Sequence, residues 1–327
     1  MLISLRKNVI IIKNGIYIIV AGILWGIISL FVNELKSIGF DSMQIVAIRV
    51  FFSAFILVIF LLVTDRKQLR IKLKDIPLFI GTGLCSIVFF NFCYFEAIKI
   101  IGGAAVPALL LYTAPIFVMI MSVFLFRERI TVQKFVALIM TLFGLILVTG
   151  AFSENTKIQP YALLLGLGSG FGYALYSIFG KFLVNKYSAI TITAFTFIVA
   201  TVCIVPISGI VQKVELLLSV KGILAALALS LLSTVIPFMA YTKGLKGIEA
   251  GKASILATIE PFTATAIGIV FFKEEMTPIK ITGMLIVLMA IVLLNINNKK
   301  IRIKKGGTYV KSSYNRNRSG HSNRKHL

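Results

Sequence analysis

Glu260 and Pro261 sit inside an apolar stretch, ASILATIEPFTATAIGIVFF, residues 253–272. An ionised side chain at the centre of a membrane helix costs about 2.5–3.5 kcal/mol on insertion scales. Such a carboxyl must face protein or water, where it can exchange a proton or meet a cationic group of a solute. A second charge, Arg49 in IRVFFSAF, also lies within an apolar stretch. It is about seven residues from the nearer end, or ~10 Å at the rise of an α-helix. There its guanidinium can snorkel outward, bind an anionic group such as a carboxylate, pair with Glu260, or tie its helix to a neighbour.

Aromatic and polar side chains interleave in the other apolar stretches: Trp25, Asn91, Tyr94, Tyr112, Tyr173, Tyr176 and Tyr241. Asn91 and Tyr94 are three apart and share a helix face, as do Tyr173 and Tyr176. Rings with a polar tip suit a cavity that holds small solutes loosely. They equally suit the membrane interface, where Tyr and Trp collect. Pro261 removes the N–H that would bond the Ala257 carbonyl; Pro115 does the same to Leu111, and Pro237 to Ser233. A freed carbonyl is tolerated in hydrocarbon only against protein or a wet cavity. Pro115 and Pro261 are therefore either flexing hinges or static kinks.

Other chemistry finds little support. Both histidines, His321 and His326, are near the C-terminus. Cys85, Cys93 and Cys203 lie in apolar stretches without metal-ligand spacing and read as small packing residues. No G-x-x-x-x-G-K-[ST] phosphate loop occurs. No catalytic residue, metal or cofactor is expected.

The elements that carry these residues follow from composition. Of the 327 residues, 58% are hydrophobic and only 14% charged, and the mean hydropathy is +0.96. A soluble domain of this size could not build its surface from so few polar groups. Apolar runs of about 20 residues recur, long enough to cross a ~30 Å hydrocarbon core as helices. The alternating segments of a membrane β-barrel are absent. The expected fold is an all-α polytopic membrane protein with ten spans: residues 15–33, 42–63, 76–98, 103–126, 132–151, 160–182, 189–211, 222–242, 250–272 and 278–296. The first is too long for a signal-peptide core and no clear cleavage site follows it. Pro77, Pro160 and Pro278 stand near span starts, where a missing N–H costs little.

The net charge of +22 does not indicate a nucleic-acid partner. Ten Lys/Arg and no Asp or Glu fall in residues 297–327, and the rest lie mostly in short loops. With the N-terminus in the cytoplasm, the cytoplasmic segments carry 26 of the 34 Lys/Arg, so both termini are expected there. The basic tail is expected to be solvated, touching anionic headgroups at most. A compact chain without a long extramembrane domain fits the plasma membrane of a bacterial cell.

Shifting the chain by 146 residues aligns its halves. Gly22 and Gly26 fall on Gly168 and Gly172, Pro115 on Pro261, FRERIT (126–131) on FKEEMT (272–277), and Lys134 on Lys280. A one-residue slip brings Tyr94 onto Tyr241. Five spans is an odd number, so the second copy enters the membrane upside down, as in many transporters. The expected organisation is a cytoplasmic segment 1–14, a first five-helix repeat 15–151, a loop 152–159, a second repeat 160–296 and the tail 297–327. Glycines in AGILWG and GLGSGFG are spaced for close helix approach. Glu128 and Glu274 are expected to cap or cross-link helix ends.

These features resemble the EamA type of the drug/metabolite transporter superfamily, over roughly residues 12–297. The resemblance rests on Pro115, Glu128 and Gly144 in one half, on Pro261, Glu274 and Ala290 in the other, and on Arg49. The second half departs from the first in carrying Phe195 opposite Arg49 and Ala290 opposite Gly144. The resemblance implies ten helices in two halves and says nothing of the substrate. The function expected is secondary transport, by efflux, of a small metabolite such as an amino acid or a related compound, driven by protons or by an exchanged solute. The partners are that solute and the lipid bilayer, and the oligomeric state is open. A membrane-embedded enzyme acting on a lipid-linked substrate, or a receptor or scaffold that moves no solute, are the alternatives. The single deep carboxylate and the absence of histidine from the spans count against the enzyme.

Overall fold

The computed structural model describes residues 2–150 and 159–295. The expected inter-repeat loop, apart from its last residue, and the tail with His321 and His326 lie outside the described residues. Ten helices are long and apolar enough to cross a membrane: α1 (Ile12–Ile38), α2 (Ser42–Thr64), α3 (Leu73–Ile101), α4 (Ala105–Phe126), α5 (Val132–Thr149), α6 (Pro160–Leu183), α7 (Ala189–Ile207), α8 (Val220–Leu245), α9 (Ala250–Phe272) and α10 (Pro278–Asn295). Helix also continues back from α1 to Leu2, with an interruption at Ile27.

Several helix starts are fixed by local chemistry. Asp41 opens α2 with a capping box: its carboxylate accepts the Gln44 N–H at 2.9 Å, and the Gln44 side chain accepts the Asp41 N–H at 3.0 Å. Thr131 and Ser188 cap α5 and α7 through their hydroxyls. Each cap satisfies a backbone donor that would otherwise be orphaned at the membrane boundary.

The spans form two five-helix halves that interlock. α1 packs on α8 and α9, and α6 packs on α3 and α4; α2 pairs with α7, and α5 with α10. Each pairing thus has a counterpart five helices later. The turns after α4 and α9 also match. Arg127 (φ 54°) and Lys273 (φ 55°) close their helices in the same left-handed conformation. α3 and α8 each contain a π-helical stretch, Gly81–Val88 and Leu231–Val235.

α4 and α9 are both discontinuous. α4 comprises Ala105–Leu111 and Ala114–Phe126; α9 comprises Ala250–Leu256 and Ile259–Phe272. The cause is the same in each. A threonine hydroxyl bonds the carbonyl three residues back, Thr113 to Leu110 and Thr258 to Ile255, both at 2.6 Å. A proline in the next turn then prevents the regular ladder from resuming. The two breaks differ in one respect. Leu111 precedes Leu256 by 145 residues, whereas Pro115 precedes Pro261 by 146. The second half therefore holds one extra residue at its break, LATIEP against LYTAP, and Glu260 lies in that insertion.

α5 and α10 cross at glycines. A Cβ on Gly283 would lie 2.6 Å from the Gly144 carbonyl oxygen, and one on Gly144 would lie 2.8 Å from that of Gly283. Substituting Gly283→Leu should overpack this crossing at a cost of about 1–3 kcal/mol and lower the melting temperature of the detergent-solubilised protein. Gly15→Ala, whose nearest atoms are 3.7 Å away, should leave it unchanged. Equal melting for Gly283→Leu and wild type would show that the two helices are not in contact there.

Candidate functional site

The break in α9 places Glu260 in the first turn of its second segment, where the positive end of a 14-residue helix dipole favours an acid. Pro261 leaves the Ala257 carbonyl without its usual donor, and the Glu260 N–H takes it at 3.0 Å. The side chain is held from α6: the Tyr173 hydroxyl donates to Glu260 Oε2 at 3.0 Å. Tyr112, at the break in α4, presents its hydroxyl to the same carboxyl. The two helix breaks and one glycine-rich helix thus converge on one acid.

Glu260 lines a cavity of about 430 Å3. The same wall includes Trp25, Arg49, Asn91, Tyr94, Tyr112 and Tyr173. Seven of the nine residues expected to bind solute are therefore brought together. Arg49 is 8% exposed, so it does not snorkel to the surface. Its backbone carbonyl accepts the Ser230 hydroxyl at 3.3 Å, and Ser53 in turn donates to the Ser230 carbonyl at 3.3 Å, which joins α2 to α8. Among the described residues no salt bridge joins Arg49 to Glu260, although both line the cavity. Phe195, at the position matching Arg49 in the second half, packs on Phe79 at 5.3 Å between ring centroids and is not part of the lining.

Trp25 forms the aromatic centre of the site, with Phe238 at 5.1 Å and Tyr173 at 6.3 Å, both edge-on. Phe90 meets Tyr173 at 5.6 Å and 90°. Phe90, Phe238 and Ser29 line the cavity and were not anticipated. Ser29 stands one turn beyond Trp25 on α1, and that spacing was a readable signal. Phe90 and Phe238 carried no mark to distinguish them among 26 phenylalanines.

The cavity is open towards one end of the bundle. It reaches Asn33 and Lys36 at the end of α1, Ser42 at the start of α2 and Ala104 just before α4. Towards the other end the space is filled. Tyr176 and Tyr241, the remaining two expected residues, lie in this packed layer at 5% and 3% exposure. The Tyr176 hydroxyl shares a 2.7 Å hydrogen bond with Thr242, and the Tyr241 hydroxyl a 2.6 Å bond with Ser177. Two voids of about 20 Å3 lie beside them. Pro115 lines one of these voids, as does Glu260, the residue before Pro261.

Below that layer a group of charges spans the two halves. Lys134 Nζ is 2.5 Å from Glu249 and 3.9 Å from Glu128, and it also donates to the Arg129 carbonyl at 3.0 Å. Glu128 accepts the N–H groups of Ala250 at 2.7 Å and Gly251 at 3.2 Å, capping α9 as expected of it. Lys181 donates to the Leu245 carbonyl at 2.7 Å and to that of Ile248.

Comparison with known proteins bears on this arrangement. A model of the EamA-like transporter family matches the chain twice, over residues 13–150 and 160–296. An uncharacterised transporter of Archaeoglobus fulgidus is 29% identical over 280 residues, covering 84% of this chain and 94% of its own. The transporter YwfM of Bacillus subtilis is 22% identical over 88% of this chain and 95% of its own. The inner membrane transporter YicL of Salmonella typhimurium is 22% identical over 88% of this chain and 97% of its own. A solved crystal structure shares the fold with a TM-score of 0.70 at 17% identity, covering 86% of this chain and 95% of that one. With both halves matched, the chain is a multi-pass membrane protein of the drug/metabolite transporter superfamily and belongs to the EamA-like transporter family.

Proposed function

We propose that the protein is a secondary active transporter that exports small zwitterionic metabolites, such as amino acids or related compounds, by alternating access around the chamber at Glu260. It is not an enzyme, and it needs neither cofactor nor metal. The observation that carries this reading is that charges of both signs line one chamber and are not spent on each other. Arg49 Nε, Trp25 Nε1 and Ser29 Oγ are buried without a hydrogen-bond partner among the described residues. These donors suit a solute carboxylate, because a buried donor gains most from an ionised acceptor. Glu260 suits the ammonium group. The rings of Trp25, Phe90, Tyr94 and Tyr173 suit the rest of the solute, and a volume of about 430 Å3 lies in the usual range for small-molecule sites, about 300–1,000 Å3.

Solute and proton compete for Glu260. When the chamber faces outward, the solute leaves and a proton takes the carboxyl. When it faces inward, the proton leaves and the solute ammonium replaces it. Pro115 and Pro261 act as hinges, since segments already separated at 112–113 and 257–258 can tilt without breaking further ladder bonds. Tyr176 and Tyr241 meet the solute only once the packed end opens. The Lys/Arg bias supports a plasma membrane location with both termini in the cytoplasm, and the bacterial relatives fit such a cell. The repeats are taken as 15–151 and 160–296, between the 1–14 and 297–327 segments.

Counterflow into proteoliposomes, across a panel of amino acids, tests the reading; an enzyme or a receptor would give none. Glu260→Gln should insert normally, slow net proton-driven transport at least tenfold and flatten its pH dependence. Full-rate transport with an unchanged pH profile would remove Glu260 from the mechanism. Arg49→Lys keeps the charge but loses the planar fork. It should raise KM about tenfold, the equivalent of one charge-assisted hydrogen bond at about 1.4 kcal/mol, with kcat less affected. An unchanged KM would exclude a carboxylate contact.

A further inference from the structure

The charges at the packed end have a mirror image at the open end, and the copy is incomplete. The first segments of α4 and α9, Ala105–Leu111 and Ala250–Leu256, are seven residues each and match at an offset of 145. Glu128 and Lys134 match Glu274 and Lys280 at an offset of 146. The pair within each half is kept: Lys280 lies 3.7 Å from Glu274, as Lys134 lies 3.9 Å from Glu128. The acid that links the halves is not. Glu249, which binds Lys134 across the halves at 2.5 Å, matches Ala104. Ala104 lies at the mouth of the chamber, where the mirrored contact would have to form.

We infer that Lys134 and Glu249 form an ionic gate whose counterpart, Lys280 facing Ala104, lacks its acid, so that the protein rests with the Lys134 end shut and the other end open. The inference rests on the alternating-access reading above. In one state a lysine from α5 grips the start of α9. In the other, Lys280 of α10 approaches the start of α4 and finds a methyl group. The half-buried bridge favours the first state, and nothing equivalent favours the second. Lys134 is nearly buried, at 8% side-chain exposure, whereas Glu249 is at 51%. The gate is therefore of the modest strength expected of a partly solvated pair, which a bound solute or proton can overcome.

The test supplies the missing acid. Ser254 lines a void beneath Glu260 on the shut side. A Ser254→Cys variant, with Cys85, Cys93 and Cys203 replaced by Ala, reports opening of that end through its rate of maleimide labelling in nanodiscs. Ala104→Glu should raise this rate about three- to fivefold over the isosteric Ala104→Gln, the effect of one exposed ion pair on a two-state equilibrium. Lys280→Gln should abolish the difference, and Glu249→Gln alone should raise the rate by a similar factor. Equal labelling of Ala104→Glu and Ala104→Gln would overturn the inference. Wild-type counterflow is scored separately. Solute flux with equal labelling sinks the gate and leaves the transporter reading intact, whereas no flux removes the transporter reading on which the gate depends.

Discussion

A backbone carbonyl without a donor is expensive in hydrocarbon, several kcal/mol for each group left bare, and the whole site depends on how that cost is met. α4 and α9 are interrupted after seven residues of spans that run 22 and 23, and each interruption is covered by a glycine-bearing helix of the opposite half. A Cβ on Gly22 of α1 would lie 2.9 Å from the Ala257 carbonyl oxygen, and one on Gly170 of α6 would lie 3.2 Å from that of Leu111. Larger residues would lift these helices away from the breaks. The interlocking of the halves is thus what allows irregular backbone inside two spans, and irregular backbone is what presents Glu260 and Tyr112 to a common chamber.

The halves are alike in backbone and unlike in chemistry. Arg49 projects into the chamber, and its counterpart Phe195 packs on Phe79. Glu260 lies in the chamber, and the first half has no acid at its break. A site with one cation and one anion from different halves would admit a dipolar solute in a single orientation, which is the reading proposed for this chamber. A strictly symmetric site would present like charges in pairs and could not.

Much of this was legible in the sequence, for a physical reason. Hydrophobic length reveals spans because a bilayer has one thickness, and all ten expected spans are present. The repeat was visible in the polar turn FRERIT and its copy FKEEMT, which close their helices with the same left-handed residue, Arg127 and Lys273. The depth of Glu260 could be read from its distance to the span ends. The depth to which the chamber reaches could not. Tyr173 and Tyr176 are one turn apart and share a face, yet one borders the chamber and the other lies in the layer below it, because the floor of the chamber falls between them. The same holds for Tyr241 on α8. The partnership of Lys134 with Glu249 was hidden for a different reason: it joins residues 115 apart in the chain, and nothing local in either segment announces the other.

The residue inserted at the second break has a geometric consequence. In a continuous helix one added residue would turn everything after it by about 100° about the axis. Here it falls where α9 is already broken, at 257–258, and the break absorbs it. The segments beyond keep their register: Pro115 and Ser122 are buried, as are Pro261 and Gly268, each 146 residues on. The longer break thus leaves the outer rod unturned and adds its extra length only beside Glu260, which precedes Pro261 as Ala114 precedes Pro115.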